Sequence, residues 1–333
     1  MKYIDLDFND KTILITGGAG FIGSNLVNYF QENYPDSHIV VFDCLRSEET
    51  FSNGNLKSFG HFNNLIGFNG DLICGNLNNL NDLNLLNKYK FDFIFHQAAI
   101  SDTRVLDQEI VIHTNLNSFH YFLETAKKTK ATLVYASSAS TYGDLPSPQK
   151  IGLERPDNAY GFSKFMMDKT AQRYIKNHPE MKIVGLRYFN VYGHNEFFKN
   201  KTSSMVIQLA LQILSGQKPK LFENSDQYFR DFVFIEDVIQ ANIKACNSRK
   251  NGVFNVGTGI PKSFQDIVDT LQKILVTNLD IEYFPNPFNN YQVHTQADIT
   301  ESKKYLDYAP LHNLEDGIKK YISEIRLIHQ NLR

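Results

Sequence analysis

The sequence predicts an α/β fold with a doubly wound parallel sheet, and three observations support this prediction. Six short apolar runs, rich in Ile, Val and Phe, suit strands that are buried on both faces. They span residues 12–16, 39–43, 71–76, 93–97, 132–137 and 183–189. Helical patterns separate these runs, and a glycine-rich turn follows the first one. This succession predicts right-handed β-α-β crossovers, a Rossmann-type sheet, and ligand binding at the carboxyl ends of its strands.

The first strand leads into a glycine-rich turn and a helix predicted over residues 21–30. Gly17 permits the tight turn, Gly20 lets backbone amides approach a phosphate, and Gly23 lets the helix pack on the strand. The N-terminus of the helix attracts the anion. Because the glycines lie between a strand and a helix, as this motif requires, the turn predicts a bound dinucleotide.

The second half of the chain alternates less regularly. We expect helices at 204–214, 235–246, 263–275 and 314–329, a strand-like segment at 231–235, and an irregular segment at 285–298. The stretch 231–257 indicates a return to the sheet. We therefore predict two domains, of which the second is discontinuous. The dinucleotide-binding domain spans 11–190 and 231–259, and a smaller α/β substrate domain spans 191–230 and 260–330.

Composition limits the possible classes of function. The chain has 333 residues, of which 42% are hydrophobic and 21% charged, and its formal net charge is −2. This balance, without a long basic run, favours neither nucleic acid nor an anionic membrane surface as a partner. Three scattered cysteines are too few for a disulfide framework or a zinc site, and no apolar stretch approaches the roughly 20 residues of a membrane helix. We expect a cytoplasmic globular protein without a metal site.

Two residues, one at the end of the second predicted strand and one shortly after it, indicate which dinucleotide binds. Asp43 ends that strand about 20 residues past the last glycine, where a carboxylate binds free ribose hydroxyls and so favours NAD. Arg46 could hold a 2′-phosphate with two hydrogen bonds, which favours NADP, or could be a solvated loop cation. The sequence therefore predicts NAD or NADP.

The chemistry is predicted from Tyr160 and Lys164, whose i, i+4 spacing presents a phenol and an ammonium on one helix face. At ~4 Å and an effective dielectric near 20, their attraction is worth about 4 kcal/mol for the phenolate, or roughly three pK units. We therefore expect a pKa low enough for Tyr160 to act as a base near neutral pH. Ser138 follows the fifth strand, where its hydroxyl can bond the reacting oxygen.

Together these segments resemble the extended short-chain dehydrogenase/reductase family over nearly the whole chain. Residues 16–23 are similar to its T-G-x-x-G-x-x-G turn and 95–99 to its H-x-A-A segment. The resemblance implies that Tyr160 is the catalytic base, that Lys164 binds the nicotinamide ribose and lowers the pKa of the tyrosine, and that Ser138 orients the substrate. With Asp43 and Arg46, the expected cofactor-binding residues are Gly17, Gly20, Phe21, Ile22, Gly23, Asn76, Gln97, Ala98, Ala99, Asn115, Lys164 and Val191. Asn76 departs from the aspartate that the family often has there.

Further segments resemble the sugar-nucleotide branch of this family. Residues 187–193 are similar to its R-Y-F-N-V-Y-G run, and residues 230–233 to its R-D-F-V segment. Residues 220–226, 291–292 and 295–298 are similar to stretches of one subgroup of epimerases in this branch. The resemblance implies a nucleotide-sugar substrate, a tightly bound cofactor and a homo-oligomer, commonly a pentamer. The expected substrate-binding residues are Ser138, Asn190, Lys199, Phe222, Glu223, Ser225, Arg230 and Tyr291.

The resemblance also limits the reaction. Dehydratases of this branch carry Asp-Glu after the residue equivalent to Ser138, but this chain has Ala139 and Ser140, which argues for epimerisation or simple oxidoreduction. In redox epimerisation the oxidised nicotinamide takes a hydride from the sugar carbinol and returns it to the opposite face of a transient ketone. Inverting a side-chain carbinol requires a second proton shuttle, and the resemblance to this subgroup implies that a lysine provides it. Spacing from the N-V-Y-G run assigns it to Lys199, with Lys201 as the rival.

Three further residues depart from the sequence pattern of the family. His194 and Asn195 replace a common Pro-Arg pair, and Asn224 replaces a glycine, so Asn224 must adopt a backbone conformation that glycine adopts more freely. A loop histidine such as His194 is more often a structural residue than a catalytic base.

Two other functions stay open from the sequence. One is a different nucleotide-sugar epimerase or reductase, such as a 4-epimerase, and the other is a non-catalytic nucleotide-sensing module.

Overall fold

A central parallel sheet organises the computed structural model, which describes residues 1–286 and 292–332. The strands are β1 Thr12–Thr16, β2 His38–Asp43, β3 Asp71–Cys74, β4 Phe93–His96, β5 Thr132–Ser138, β6 Ile183–Tyr188, β7 Asn190–Tyr192, β8 Lys220–Phe222, β9 Phe229–Arg230, β10 Phe232–Phe234, β11 Gly252–Val256, β12 Lys262–Ser263 and β13 Glu282–Phe284. The α-helices are α1 Phe21–Asn33, α2 Leu80–Asn84, α3 Gln108–Ile112, α4 Ser118–Thr129, α5 Ala159–Asn177, α6 Met205–Leu214, α7 Ile235–Ala245, α8 Phe264–Leu275, α9 Thr300–Leu306 and α10 Leu314–Asn331.

The central sheet has seven strands in the order β11-β6-β5-β4-β1-β2-β3, and every neighbouring pair is parallel. This is the predicted doubly wound, Rossmann-type arrangement. The six predicted strands are all present, with ends shifted by no more than two residues. Between β1 and β4 the strand order reverses, and at such a point the crossovers diverge and leave a crevice outside the carboxyl ends.

Side chains of alternate strand residues enter two separate cores, one on each face of the sheet. Ile13 and Ile15 of β1 pack in the core that contains Phe30 of α1. Leu14, between them, packs in the core that contains Phe122 of α4. Because both faces are covered by helices, the strands are apolar throughout, which explains the continuous apolar runs in the sequence.

The second half of the chain adds small ladders beyond the central sheet. The segment predicted as strand-like at 231–235 forms β10, which pairs with β7 in a sheet of two strands, and the return to the central sheet is made by β11 beside β6. β8 pairs with β13, and β9 pairs with β12. The sequence predicted neither β13 nor α9. Within the described ranges, the helices are too short or too polar to span a lipid bilayer.

Candidate active site

A cavity of about 390 Å³ opens at the carboxyl ends of the central strands, where the fold predicts a ligand. Most of the predicted site residues line it, although they come from distant parts of the chain. They are Gly17, Gly20, Phe21, Ile22, Gly23, Asp43, Asn76, Gln97, Ala98, Ala99, Ser138, Tyr160, Lys164, Val191 and Lys199. The structure therefore brings a glycine-rich turn, a phenol and the two predicted lysines to one cavity.

Two glycines of the turn, Gly17 and Gly23, leave no room for a side chain. A Cβ atom on Gly23 would lie 2.1 Å from the carbonyl oxygen of Gly17, and Gly17 itself has a φ of +69°. Gly20 is the N-cap of α1 and provides no side-chain cap, so an external anion can take that role. This backbone cradle at a helix N-terminus fits the pyrophosphate of a dinucleotide.

Asp43 and Arg46, the two residues predicted to select the cofactor, have different surroundings. The buried carboxylate of Asp43 accepts hydrogen bonds from the amides of Ala19 (3.0 Å) and Leu45 (2.8 Å), and burial raises its pKa. Arg46 does not line the cavity, and its guanidinium donates to the carbonyl oxygen of Phe198. Asp43 therefore faces the cavity, whereas Arg46 reaches across to another loop.

The proposed catalytic pair lies in the first turns of α5. The side chain of Asn158 caps this helix by accepting from the amide of Gly161 at 2.8 Å. Tyr160 lies in the first turn, and the Nζ of Lys164 lies 5.9 Å from its ring centre. Nζ also donates to the carbonyl oxygen of Ala136 at 2.7 Å, which ties α5 to β5. The i, i+4 spacing thus brings both groups to the cavity.

Burial controls the pKa values of this pair. It lowers the pKa of Lys164 to about 8, against the attraction of Asp168, which favours the charged form. It raises the pKa of Tyr160, and a hydrogen bond with Ser138 opposes the rise. The lowered tyrosine pKa that the sequence led us to expect is therefore not found, because loss of solvation outweighs the stabilising hydrogen bond with Ser138.

A buried ionic network that the sequence analysis did not identify lies behind the pair. Asp168 accepts from the Nε and Nη2 atoms of Arg187 at 3.0 and 2.8 Å, and from the hydroxyls of Tyr135 and Ser137 at 2.9 Å each. Arg187 also donates to Glu154 at 2.6 Å. Asp168 follows Lys164 by one helical turn, so i, i+4 spacing was the signal that could have revealed it.

Lys199 reaches the cavity from a short 3-10 helix, Phe197–Thr202. Its Nζ lies 5.4 Å from the ring centre of Phe21, at the start of α1. Burial lowers the pKa of Lys199, and the carboxylate of Glu196 opposes this effect. A backbone kink at Asn200, where φ is +51°, separates Lys199 from Lys201, which is exposed. The structure thus brings Lys199, and not its rival, to the cavity.

Glu196 closes the loop that carries Lys199, and no local sequence pattern indicates this role. Its buried carboxylate accepts from the amide of Gly193 at 3.1 Å, and from the amide and hydroxyl of Ser204 at 2.7 and 2.8 Å. These bonds join the two ends of the loop, so Glu196 fixes the path of the chain on both sides of Lys199.

Asn115, predicted to bind the cofactor, is fully buried and lies outside the cavity lining. It accepts from the amide of Ile100 at 2.8 Å and donates to the carbonyl oxygen of Ile100 at 2.9 Å and to the hydroxyl of Ser163 at 3.0 Å. Ser163 directly precedes Lys164 on α5. Asn115 therefore fastens the helix that carries Tyr160 and Lys164 to the loop after β4.

Several predicted substrate residues lie outside the cavity lining as well, namely Asn190, Phe222, Glu223, Ser225 and Arg230. Asn190 is exposed at the start of β7, whereas Ser225 and Arg230 are buried, and Arg230 donates to the carbonyl oxygens of Phe229 and Gln292 at 2.8 and 2.6 Å. Tyr291 lies outside the described residues.

Two departures from the family pattern have clear surroundings. Asn224 adopts the left-handed conformation, with φ +59°, that its glycine counterpart would adopt more freely. His194 contacts the carboxylate of Glu324 on α10 through Nδ1, and the amide of Asn195 donates to the same carboxylate at 3.0 Å. His194 therefore helps to fasten a loop to α10 and is absent from the cavity lining.

Comparisons with known proteins agree with this geometry. The family model described as the NAD dependent epimerase/dehydratase family matches residues 13–257. An ADP-L-glycero-D-manno-heptose-6-epimerase of Brachyspira hyodysenteriae is 36% identical over 316 residues, which cover 93% of this chain and 96% of that protein.

Solved structures give the same result. The crystal structure of the Helicobacter pylori ADP-L-glycero-D-manno-heptose-6-epimerase is 49% identical, with a TM-score of 0.89 over 98% of this chain and 99% of that one. The UDP-glucose 4-epimerase of Thermotoga maritima, solved with UDP-glucose, is 25% identical, with a TM-score of 0.84 over 97% of this chain and 100% of that one. The glycine-rich turn, the helical tyrosine–lysine pair and these similarities lead to one conclusion: the chain belongs to the NAD-dependent epimerase/dehydratase family.

Proposed function

We propose that the chain is an epimerase that inverts C6 of ADP-D-glycero-D-manno-heptose to give ADP-L-glycero-D-manno-heptose, with tightly bound NAD or NADP, for the lipopolysaccharide core. The observation that carries this proposal is the position of Tyr160 and Lys199 on one cavity beside the glycine-rich turn. The relatives from Brachyspira hyodysenteriae and Helicobacter pylori, each named for this reaction, support the choice of sugar.

Tyr160, Lys164 and Ser138 serve one face of the reacting carbon. A bound nicotinamide would supply the acceptor and donor of the hydride at C6. Tyr160 exchanges a proton with the C6 oxygen, and its raised pKa keeps it protonated until substrate and cofactor enter. Lys164 stabilises the phenolate by its charge and binds the ribose of the nicotinamide, while Ser138 donates a hydrogen bond to the C6 oxygen.

Lys199 serves the opposite face of the same carbon. An inverted carbinol points its oxygen away from the first acid/base group, so a second proton donor and acceptor is required. The pKa of Lys199 is lowered by burial, which lets its ammonium release a proton more readily than an exposed lysine does. Lys199 lines the cavity and Lys201 is exposed, so the lysine role falls to Lys199.

The nucleotide-sugar substrate extends from this cavity towards the second half of the chain. We assign its contacts to Ser138, Asn190, Lys199, Phe222, Glu223, Ser225, Arg230 and Tyr291. The proposal includes the division into a dinucleotide-binding domain and a substrate domain, the latter at 191–230 and 260–330, and a cytoplasmic location.

It also includes a homo-oligomer, which the resemblance suggests is a pentamer. Light scattering of the purified chain measures the number of subunits.

The choice of cofactor depends on Asp43 and on two cations. Asp43 faces the cavity and favours a free ribose hydroxyl, whereas Lys57 also lines the cavity and favours a 2′-phosphate, with Arg46 nearby on the same loop. Calorimetric titration of cofactor-free protein with NAD and with NADP gives the two affinities. Lys57→Met is expected to weaken NADP binding and leave NAD binding unchanged, and equal losses would assign Lys57 another role.

The proposed reaction is tested directly on the purified enzyme with its cofactor. ADP-D-glycero-D-manno-heptose is added, and the resonance of the C6 proton is followed by NMR. We expect conversion to a mixture of both epimers without net oxidation of the sugar, and no conversion of UDP-glucose under the same conditions. Absence of heptose interconversion would reject the proposal, and conversion of UDP-glucose alone would identify a 4-epimerase.

A further inference from the structure

The loop that carries Lys199 is fastened to the dinucleotide-binding side through Phe198. The imidazole of His61 stacks on the Phe198 ring, with centres 3.7 Å apart and planes 2° apart. The guanidinium of Arg46 donates to the Phe198 carbonyl oxygen and lies 5.8 Å from the same ring. Phe198 is thus held by its side chain and by its backbone, from two positions of the loop that follows β2.

We infer that His61 and Arg46 are positioning residues, which hold Phe198 so that the next residue, Lys199, projects into the cavity. This inference rests on the proposed function, because it gives the contact a purpose only if Lys199 takes part in the reaction. Neither residue touches the reacting atoms. Their effect passes through the backbone of a single turn.

The geometry of the loop explains why such a support is needed. Glu196 ties the loop at Gly193 and Ser204, but both of these bonds lie outside the 3-10 turn itself. Inside the turn, Asn200 has a left-handed φ of +51°, which costs energy for a residue other than glycine. The contacts of Phe198 hold the turn on the opposite side of Lys199 from this kink.

The surroundings of His61 support the same role. His61 precedes a short 3-10 helix, Phe62–Leu65, and its Nδ1 accepts from the amide of Asn63 at 3.2 Å. Its own amide donates to the carbonyl oxygen of Ala19 in the glycine-rich turn at 3.0 Å. Burial and the nearby Arg46 charge lower the pKa of His61, which favours the neutral form of the ring that stacks on Phe198. The support is therefore continuous from the phosphate-binding turn to Lys199.

The first test measures Lys199 without any substrate. The holoenzyme is labelled with trace acetic anhydride at a series of pH values, and acetylation of Lys199 and Lys201 is separated by mass spectrometry. Burial and Glu196 set the pKa of Lys199, while the Phe21 ring faces it from α1. In His61→Leu and Phe198→Leu, we expect the Lys199 titration to move to higher pH, towards that of an exposed lysine, because the loosened turn admits water.

Lys201 provides an internal control, since it is exposed and lies two residues away. Its extent of acetylation at each pH should be the same in the wild-type chain and in both variants. His120→Ala, which removes an exposed histidine on α4, controls for loss of an imidazole. An unchanged Lys199 titration in both Leu variants would overturn the inference, whatever the activity.

The second test uses the epimerase reaction. His61→Leu should lower kcat about tenfold with KM within about twofold, and Phe198→Leu combined with it should add little, because both remove one stacking contact. In a Lys199→Met background, His61→Leu should cause no further loss. A full tenfold loss in that background would show that His61 acts independently of Lys199, and the inference would fail.

The two tests separate the inference from the proposed function. If the wild-type chain does not interconvert the heptoses but the Lys199 titration shifts as expected, the proposed function fails and the positioning contact stands. If the wild-type chain interconverts them and the titration does not shift, the proposed function stands and the positioning contact fails.

Discussion

The two sides of the proposed active site are built from different kinds of structure. Tyr160 and Lys164 lie on α5, a helix of 19 residues that Asn158 caps. Lys199 lies on a 3-10 turn of six residues that is interrupted by a kink. A long packed helix positions its side chains through many contacts, whereas a short turn depends on the few that hold it. The helical side should therefore tolerate change away from its reacting groups better than the turn.

The largest effect is expected from the reacting group on the helical side. Tyr160→Phe removes the proton donor but keeps the ring, and we expect kcat to fall by ~10³-fold in both directions of the heptose interconversion. The C6 proton resonance, followed from each epimer in turn, measures this loss. Cofactor content after purification should be unchanged, because the glycine-rich turn is intact.

A smaller effect is expected from the turn. Lys199→Met removes the second proton shuttle and should lower kcat by ~10²-fold, because water that enters the opened site replaces part of its function. Lys201→Met is the matched control and should change kcat by less than about twofold, since Lys201 is exposed. If kcat fell by ~10²-fold in Lys201→Met and by less than about twofold in Lys199→Met, Lys201 would be the second acid/base.

The helical side and the sheet could be predicted from sequence because their signals are local. Alternate residues of β1 pack on opposite faces of the sheet, and this requires an apolar residue at each of Ile13, Leu14 and Ile15. The i, i+4 spacing of Tyr160 and Lys164 likewise settles which face of α5 they share. Short-range periodicity was therefore enough to predict the central sheet and the helical pair.

The turn side could be predicted only in part. The position of Lys199 follows from its distance to a motif, but the contact between Arg46 and Phe198 joins residues 152 positions apart, which no local pattern reveals. The carboxylate of Glu196 also appears as an ordinary loop charge until the chain returns at Ser204. The pKa of Tyr160 was expected to fall and instead rises, because burial depends on the whole fold.

A third variant tests whether Asn115 holds α5 in place. Asn115→Ala removes three hydrogen bonds and leaves the amide and carbonyl groups of Ile100 unpaired, so we expect the free energy of unfolding to fall by roughly 3 kcal/mol. Asn117→Ala changes an exposed asparagine two residues away and should cost about 0.5 kcal/mol or less. Urea denaturation measures both. Equal losses would mean that α5 does not depend on Asn115.

The smallest expected change is in the free energy of unfolding of a Lys164 variant, in which stability and activity should change in opposite directions. Burial lowers the pKa of Lys164 to about 8, from 10.5 for an ordinary lysine, so below pH 8 the folded protein carries the cost of a buried charge. Lys164→Met removes this cost and the hydrogen bond to Ala136, and should raise the free energy of unfolding by roughly 2 kcal/mol at pH 7 while activity is lost.

The sign of this effect with pH follows from the same shift. Between about pH 8 and 10.5 the unfolded chain still binds the Lys164 proton and the folded protein does not, so the wild-type stability rises with pH in this window. The advantage of Lys164→Met should therefore shrink over the same range. Urea denaturation at pH 7 and pH 10 measures this, and Lys169→Met, an exposed lysine on the same helix, should show no such dependence. An advantage that stayed constant with pH would come from packing and not from the lysine charge.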